Sequence, residues 1–164
     1  MDNCKSFKPS IDNNSKILIL GSMPGIKSLE EQQYYAHPQN RFWKVMGNIC
    51  NEPKLSELDY DTKLKILLNS NIALWDTIKS CKREGSLDSD IQNEKPNDIR
   101  KLLKTYPNIE TICLNGNKSY IAFKKYFPDL LGKYTCLKMP STSPANARYS
   151  LDTLMREWAK IVAK

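Results

Sequence analysis

Residues 37–43 read HPQNRFW, and this stretch holds the chain's single histidine, His37, with Asn40 and Phe42 just behind it. A carboxamide can orient a water or meet the edge of a nucleobase, and it does so without titrating. An aromatic ring can stack on a base face. Asn40 also stands where a helix cap stands, directly ahead of a run in which Phe42, Val45, Met46 and Ile49 recur at helical spacing. Capping and facing a cleft are compatible roles for one amide. Phe42 has two readings, core packing and stacking.

The elements that must position this cluster are legible as apolar runs at 17–20, 72–75, 109–114 and 134–139. The first two are continuously apolar, as in a sheet covered on both faces. Between the runs lie helical stripes: Tyr60, Leu64, Leu67 and Leu68; Ile99, Leu102, Leu103 and Tyr106; Tyr120, Phe123 and Phe127; and Leu151, Leu154, Met155, Trp158 and Ile161. Strands alternating with helices predict an α/β fold, a three-layer α/β/α sandwich on a four-stranded parallel sheet. With no repeat or linker in sight, residues 1–164 are expected to form one domain.

Ligands of such sheets bind beyond the carboxyl ends of the strands. That rule selects GSMPG (21–25), DTIKS (76–80), NGNKS (115–119) and PSTSPANAR (140–148). In the first loop, Gly21 and Gly25 permit close backbone approach and Pro24 adds stiffness. The loop lacks both the G-x-G-x-x-G spacing and the P-loop lysine, so a nucleotide cofactor is poorly supported. Asp76 and Asn115 each end a strand, where they either face a cleft or simply make a turn. In the last loop, Ser141, Ser143, Asn146 and Arg148 offer the hydroxyls, amide and charge that phosphates bind. The same residues also suit a plain turn before the final helix.

Lys plus Arg total 25 against 18 Asp plus Glu, a net charge of +7 over 164 residues. Such charge draws polyanions, and becomes evidence for nucleic acid where cations flank a cleft. No apolar stretch has bilayer length and the N-terminal MDNCKSFKPS lacks a secretory pattern, so the expected location is cytoplasmic. Five cysteines without C-x-x-C spacing point away from a disulfide framework or a zinc site.

Taken together, GSMPG, YYAHPQNRFW and STSPANA resemble the uracil-DNA glycosylase superfamily, and its hypoxanthine (deoxyinosine) branch in particular. LWDTIKSCKREGSLDSDI is similar to the same branch, and HPQNRFWKV is also similar to the mismatch-specific branch. The resemblance implies a base-excision repair enzyme. It would flip a deaminated nucleotide, most of all hypoxanthine, out of DNA and hydrolyse the bond from base to sugar, as a monomer without metal or cofactor. The mismatch-specific branch places its water with an asparagine in the first loop, where this chain has Met23. The resemblance therefore moves the catalytic amide to Asn40.

On this reading Gly21, Ser22, Met23, Phe42, Asp76 and Asn115 would bind the base. His37, Ser141, Ser143, Pro144, Asn146 and Arg148 would hold DNA, with 144–147 as a wedge and Lys82 and Arg83 as a basic rim. The carboxylate of Asp76 would accept the N1–H of hypoxanthine and repel the N1 lone pair of adenine. Because an amide places the water, the rate is expected to show no sharp carboxylate titration. Excision of uracil or mispaired thymine, damaged-DNA binding without catalysis, and turnover of a free nucleotide are the alternatives.

Overall fold

The computed structural model describes residues 2–162. Seven strands and six α-helices follow in chain order: β1 (Asp2–Lys5), β2 (Ile17–Gly21), α1 (Ile26–Glu31), α2 (Phe42–Ile49), α3 (Tyr60–Asn69), β3 (Ile72–Asp76), β4 (Ile78–Arg83), β5 (Gln92–Pro96), α4 (Ile99–Thr105), β6 (Thr111–Asn115), α5 (Asn117–Tyr126), β7 (Thr135–Met139) and α6 (Leu151–Trp158). Four strands form an all-parallel sheet in the order β3-β2-β6-β7. These are the four runs seen in the sequence.

The pleat alternates β2 side chains between two cores. Ile19 packs with Phe42, Val45 and Met46 of α2, Leu67 of α3 and Leu154 and Trp158 of α6. Leu18 and Leu20 pack with Ile99, Leu102 and Leu103 of α4 and Phe123 of α5. Burial on both faces is the reason these strands are apolar without alternation. Local signals set the helix starts: the carboxylates of Asp59 and Asp98 accept from Thr62 N and Lys101 N, and the Ser150 hydroxyl accepts from Thr153 N.

A second sheet lies outside the sequence expectation. It is antiparallel, in the order β1-β4-β5. One residue, Thr77, separates β3 of the first sheet from β4 of the second. Cys4, Met23, Ile78, Cys81 and Ala122 form a small core of their own. The ion pair from Lys118 Nζ to Glu94 Oε1, at 2.6 Å, ties the start of α5 to β5.

Candidate active site

The carboxyl ends of the parallel strands open into one cleft of about 920 Å³. Its walls are the GSMPG loop, the end of β3, the turn before α2, the tip of the β4–β5 hairpin and the loop after β7. Leaving aside the expected basic rim, twelve of the thirteen site residues expected from the sequence line it: Gly21, Ser22, Met23, His37, Asn40, Asp76, Asn115, Ser141, Ser143, Pro144, Asn146 and Arg148.

Phe42 is the exception, and the expectation of a stacking Phe42 is corrected. Its ring is 0% exposed and sits in the core beneath α2. Tyr35 lies on it, with ring centroids 3.8 Å apart and planes at 18°. Tyr35 reaches the cleft, as do Tyr34 and Tyr149; of these, Tyr35 is the one stacked on Phe42. Tyr35 has a left-handed backbone, φ 55°, which bulky residues rarely adopt. Tyr34 is buried, its hydroxyl donating to Lys8 O at 2.7 Å. The helical stripe that begins at Phe42 pointed toward the core without deciding it, since the first residue of a helix can face either way.

Asn40 is fixed from both sides. Its N–H donates to His37 O at 2.9 Å, and its Oδ1 accepts from Phe42 N at 2.9 Å. The amide therefore supports the start of α2 and borders the cleft at once. His37 Nδ1 accepts from Gln39 N at 3.0 Å, so the imidazole shapes the turn that carries Asn40.

Asp76 is buried at the end of β3. Its Oδ2 accepts from Ser6 Oγ at 2.8 Å. A Cβ on Gly21 would stand 2.6 Å from its Oδ1 and 3.2 Å from the Tyr35 hydroxyl, so any side chain at position 21 would displace the carboxyl. Burial pushes the Asp76 carboxyl up to about 7, with a further upward push from Asp88, against the Ser6 hydrogen bond and the charge of Arg83. The sequence reading expected no titrating carboxyl, and Asp76 brings one into the neutral range.

Asn115 borders the cleft with its amide already engaged. Nδ2 donates to Thr142 Oγ1 at 3.2 Å and to the Tyr35 hydroxyl at 3.3 Å, while Oδ1 accepts from Thr142 N at 3.1 Å. It braces the loop after β7. Gly116 follows at φ 95°, where a Cβ would meet Ser141 Cβ at 3.1 Å. In the GSMPG loop the carbonyls of Gly21 and Ser22 accept from Thr77 N and Ile78 N. Met23 turns under the loop into the small core of the second sheet. Ser22 Oγ donates to Asp88 Oδ1 at 2.6 Å.

Arg83, expected on a basic rim, is 1% exposed and donates to Pro24 O from beneath the loop. Lys82 is exposed but does not line the cleft. The rim cations are Lys27, Lys138 and Arg148.

Arg41 carries no signal in the sequence that would single it out. Its Nη2 donates to Ser143 O at 2.9 Å and Asn146 O at 3.0 Å, its Nη1 to Tyr149 O, and its backbone N–H to Thr142 O at 3.1 Å. The residue next to Asn40 thus holds the whole loop after β7. Within that loop, Ser141 Oγ and Ser143 Oγ accept from Ser143 N and Ala145 N, and Asn146 Nδ2 donates to Ser141 O. Pro144, Ala145, Ala147 and Arg148 are left exposed at its tip.

Comparisons with known proteins identify the family. The model of the uracil DNA glycosylase superfamily matches residues 9–163. The chain is 42% identical over 147 residues to a hypoxanthine DNA glycosylase of Methanosarcina acetivorans, covering 89% of this chain and 90% of the relative. It is 40% identical over 157 residues to a hypoxanthine DNA glycosylase of Methanosarcina barkeri, covering 95% and 96%. A solution NMR structure from Methanosarcina acetivorans, named for the uracil DNA glycosylases, superposes with a TM-score of 0.84 at 39% identity, over 98% of this chain and 96% of that one.

Proposed function

The chain belongs to the uracil DNA glycosylase superfamily, and we propose that it is a DNA glycosylase that excises hypoxanthine from DNA. One observation carries the reading. An amide held at a helix start borders the same cleft as a buried carboxyl and a glycine-pinned loop, in a chain about 40% identical to proteins named for that activity.

The substrate is a deoxyinosine turned out of the stack, and the extrusion costs roughly a few kcal/mol. Tyr35 offers a ring for the base to stack on, backed by Phe42. Backbone N–H groups of the GSMPG loop face the leaving heterocycle. The carboxylate of Asp76 accepts the purine N1–H. Asn40 Oδ1, already aligned by Phe42 N–H, accepts a hydrogen bond from a water and aims that oxygen at the sugar C1′.

As the C–N bond breaks, its electron pair leaves with the base. The water oxygen bonds to C1′, and the proton it releases ends on the departing purine. The products are free hypoxanthine and an abasic sugar. Fixed dipoles around the base, rather than a strong nucleophile, lower the barrier. Arg148 with Ser141, Ser143, Asn146 and His37 holds the flanking phosphates, and the tip at 144–147 fills the space the base leaves. Every group named here lies in one chain, so a monomer suffices for the reaction.

The decisive experiment uses end-labelled oligonucleotides that each carry hypoxanthine, uracil or xanthine, with alkaline cleavage of the abasic product. Wild type should cut best at hypoxanthine. Asn40→Ala should lose about 10²–10³-fold in rate while still binding DNA, the cost of losing one placed amide. A variant within a few-fold of wild type would remove Asn40 from the chemistry. Preference for uracil over hypoxanthine would move the chain to the pyrimidine reading, since uracil N3–H also suits Asp76.

A further inference from the structure

Four large apolar side chains are exposed among the described residues: Ile26, Leu87, Ile121 and Val162. Two of them, Ile26 at 47% and Leu87 at 53%, stand on the wall of the cleft. They are neighbours, because Ser86 Oγ accepts from Ile26 N at 2.8 Å. The hairpin tip that bears Leu87 is fastened to the GSMPG loop by three contacts. Ser86 holds Ile26, Asp88 accepts from Ser22 Oγ at 2.6 Å, and Arg83, at the end of β4, donates to Pro24 O. An exposed leucine on a free loop needs no explanation. One held by three side-chain hydrogen bonds beside the site is built to bear a load.

The strand order fixes where this ridge lies. The hairpin continues from β3, one edge of the parallel sheet, while the loop with Pro144 follows β7, the other edge. The two exposed tips therefore flank the cleft from opposite ends. The hairpin carries charges of both signs, with Lys79, Lys82 and Arg83 beside Glu84, Asp88 and Asp90. What suits the apolar side chain of Leu87 is the apolar surface that DNA offers, its base stack. Leucine and isoleucine are among the side chains that proteins insert between base steps to unstack them.

We propose that Leu87, backed by Ile26, is a second wedge that enters the base stack of duplex DNA from the side opposite the Pro144 loop, so that the extruded nucleotide is pinched out between two tips. The proposal rests on the glycosylase reading above. It gives the second sheet a task, which is to hold one prong against the catalytic loop.

The test is the ratio of single-turnover excision rates on duplex and single-stranded hypoxanthine oligonucleotides, since only a duplex must be opened. Leu87→Ala should lower that ratio by roughly tenfold, and Leu87→Met should restore most of it. Ile121→Ala, exposed elsewhere, should keep the wild-type ratio. An unchanged ratio in Leu87→Ala overturns the wedge, as does an equal loss on both strand forms.

A second readout needs no excision. 2-Aminopurine placed beside a stable abasic analogue in a duplex brightens when unstacked. Greater brightening with wild type than with Leu87→Ala supports the wedge. Equal brightening overturns it even if no lesion is cut, so failure of the wedge and failure of the glycosylase reading are seen separately. A wild-type dimer in sedimentation that dissociates in Leu87→Ala would assign the ridge to a second copy of the chain and overturn the proposal as well.

Discussion

A carboxyl that keeps its proton until about pH 7 behaves oppositely to most acids of a folded protein. Asp76 is in this state because it is buried beside Gly21 with one hydroxyl for company. In the unfolded chain it loses its proton near the ordinary 3.8, while the folded chain keeps it to about 7. Between those values the unfolded form binds fewer protons, so stability falls as pH rises and the loss is complete above 7. Asp76→Asn removes this penalty. Relative to wild type, the variant should gain about 2–4 kcal/mol in urea unfolding on going from pH 4 to pH 8.

On the proposed role of Asp76, the same proton bears on reading of the base. If the carboxylate form accepts N1–H, hypoxanthine excision should climb through pH 7 in wild type and stay flat in Asp76→Asn. That variant should also narrow the preference for free hypoxanthine over adenine as an inhibitor. Gly21→Ala drives a methyl to 2.6 Å from Asp76 Oδ1. It should cut excision by at least about tenfold by displacing the carboxylate, with an unchanged far-UV spectrum as the control for folding. At this scale the sequence was readable for polar groups at strand ends, such as Asp76 and Asn115. It was not readable for which member of an aromatic pair lies outermost. Tyr35 and Phe42 are chemically equivalent as stackers, and only the packing of α2 separates them.

Helices and loops show a different division. The parallel strands were legible because burial on both faces leaves nothing but apolar residues in them. Strands β1 and β5, DNCK and QNEKP, carry no such pattern. They exist because β4 offers each of its edges a partner, which is a tertiary fact. The six-residue α1 was missed for the same reason, having no apolar stripe of its own. Arg41 couples two elements. One guanidinium takes three carbonyls of the loop after β7 from a position adjacent to Asn40. Lysine cannot reproduce that planar fork. Arg41→Lys should destabilise the protein by about 1–3 kcal/mol. It should also open residues 143–149 to proteolysis and reduce excision on duplex DNA.

For the molecule as a whole, the net charge is +7. Lys27, Lys138 and Arg148 stand at the cleft. If these three meet phosphates, the logarithm of affinity for a lesion-bearing duplex should fall against the logarithm of salt with a slope of about −2.7, and Arg148→Ala should reduce its steepness by about 0.9. A salt-insensitive affinity would place DNA on another face. The single residue Thr77, at which one sheet passes into the other, has a bearing on descent. The carboxyl proposed to meet the purine stands at this seam, with the hairpin on its far side, whereas the amide proposed to place the water stands at the start of a helix that the second sheet does not build. Selection can therefore rework the seam and the hairpin to change which lesions are admitted, and inherit the hydrolytic half intact.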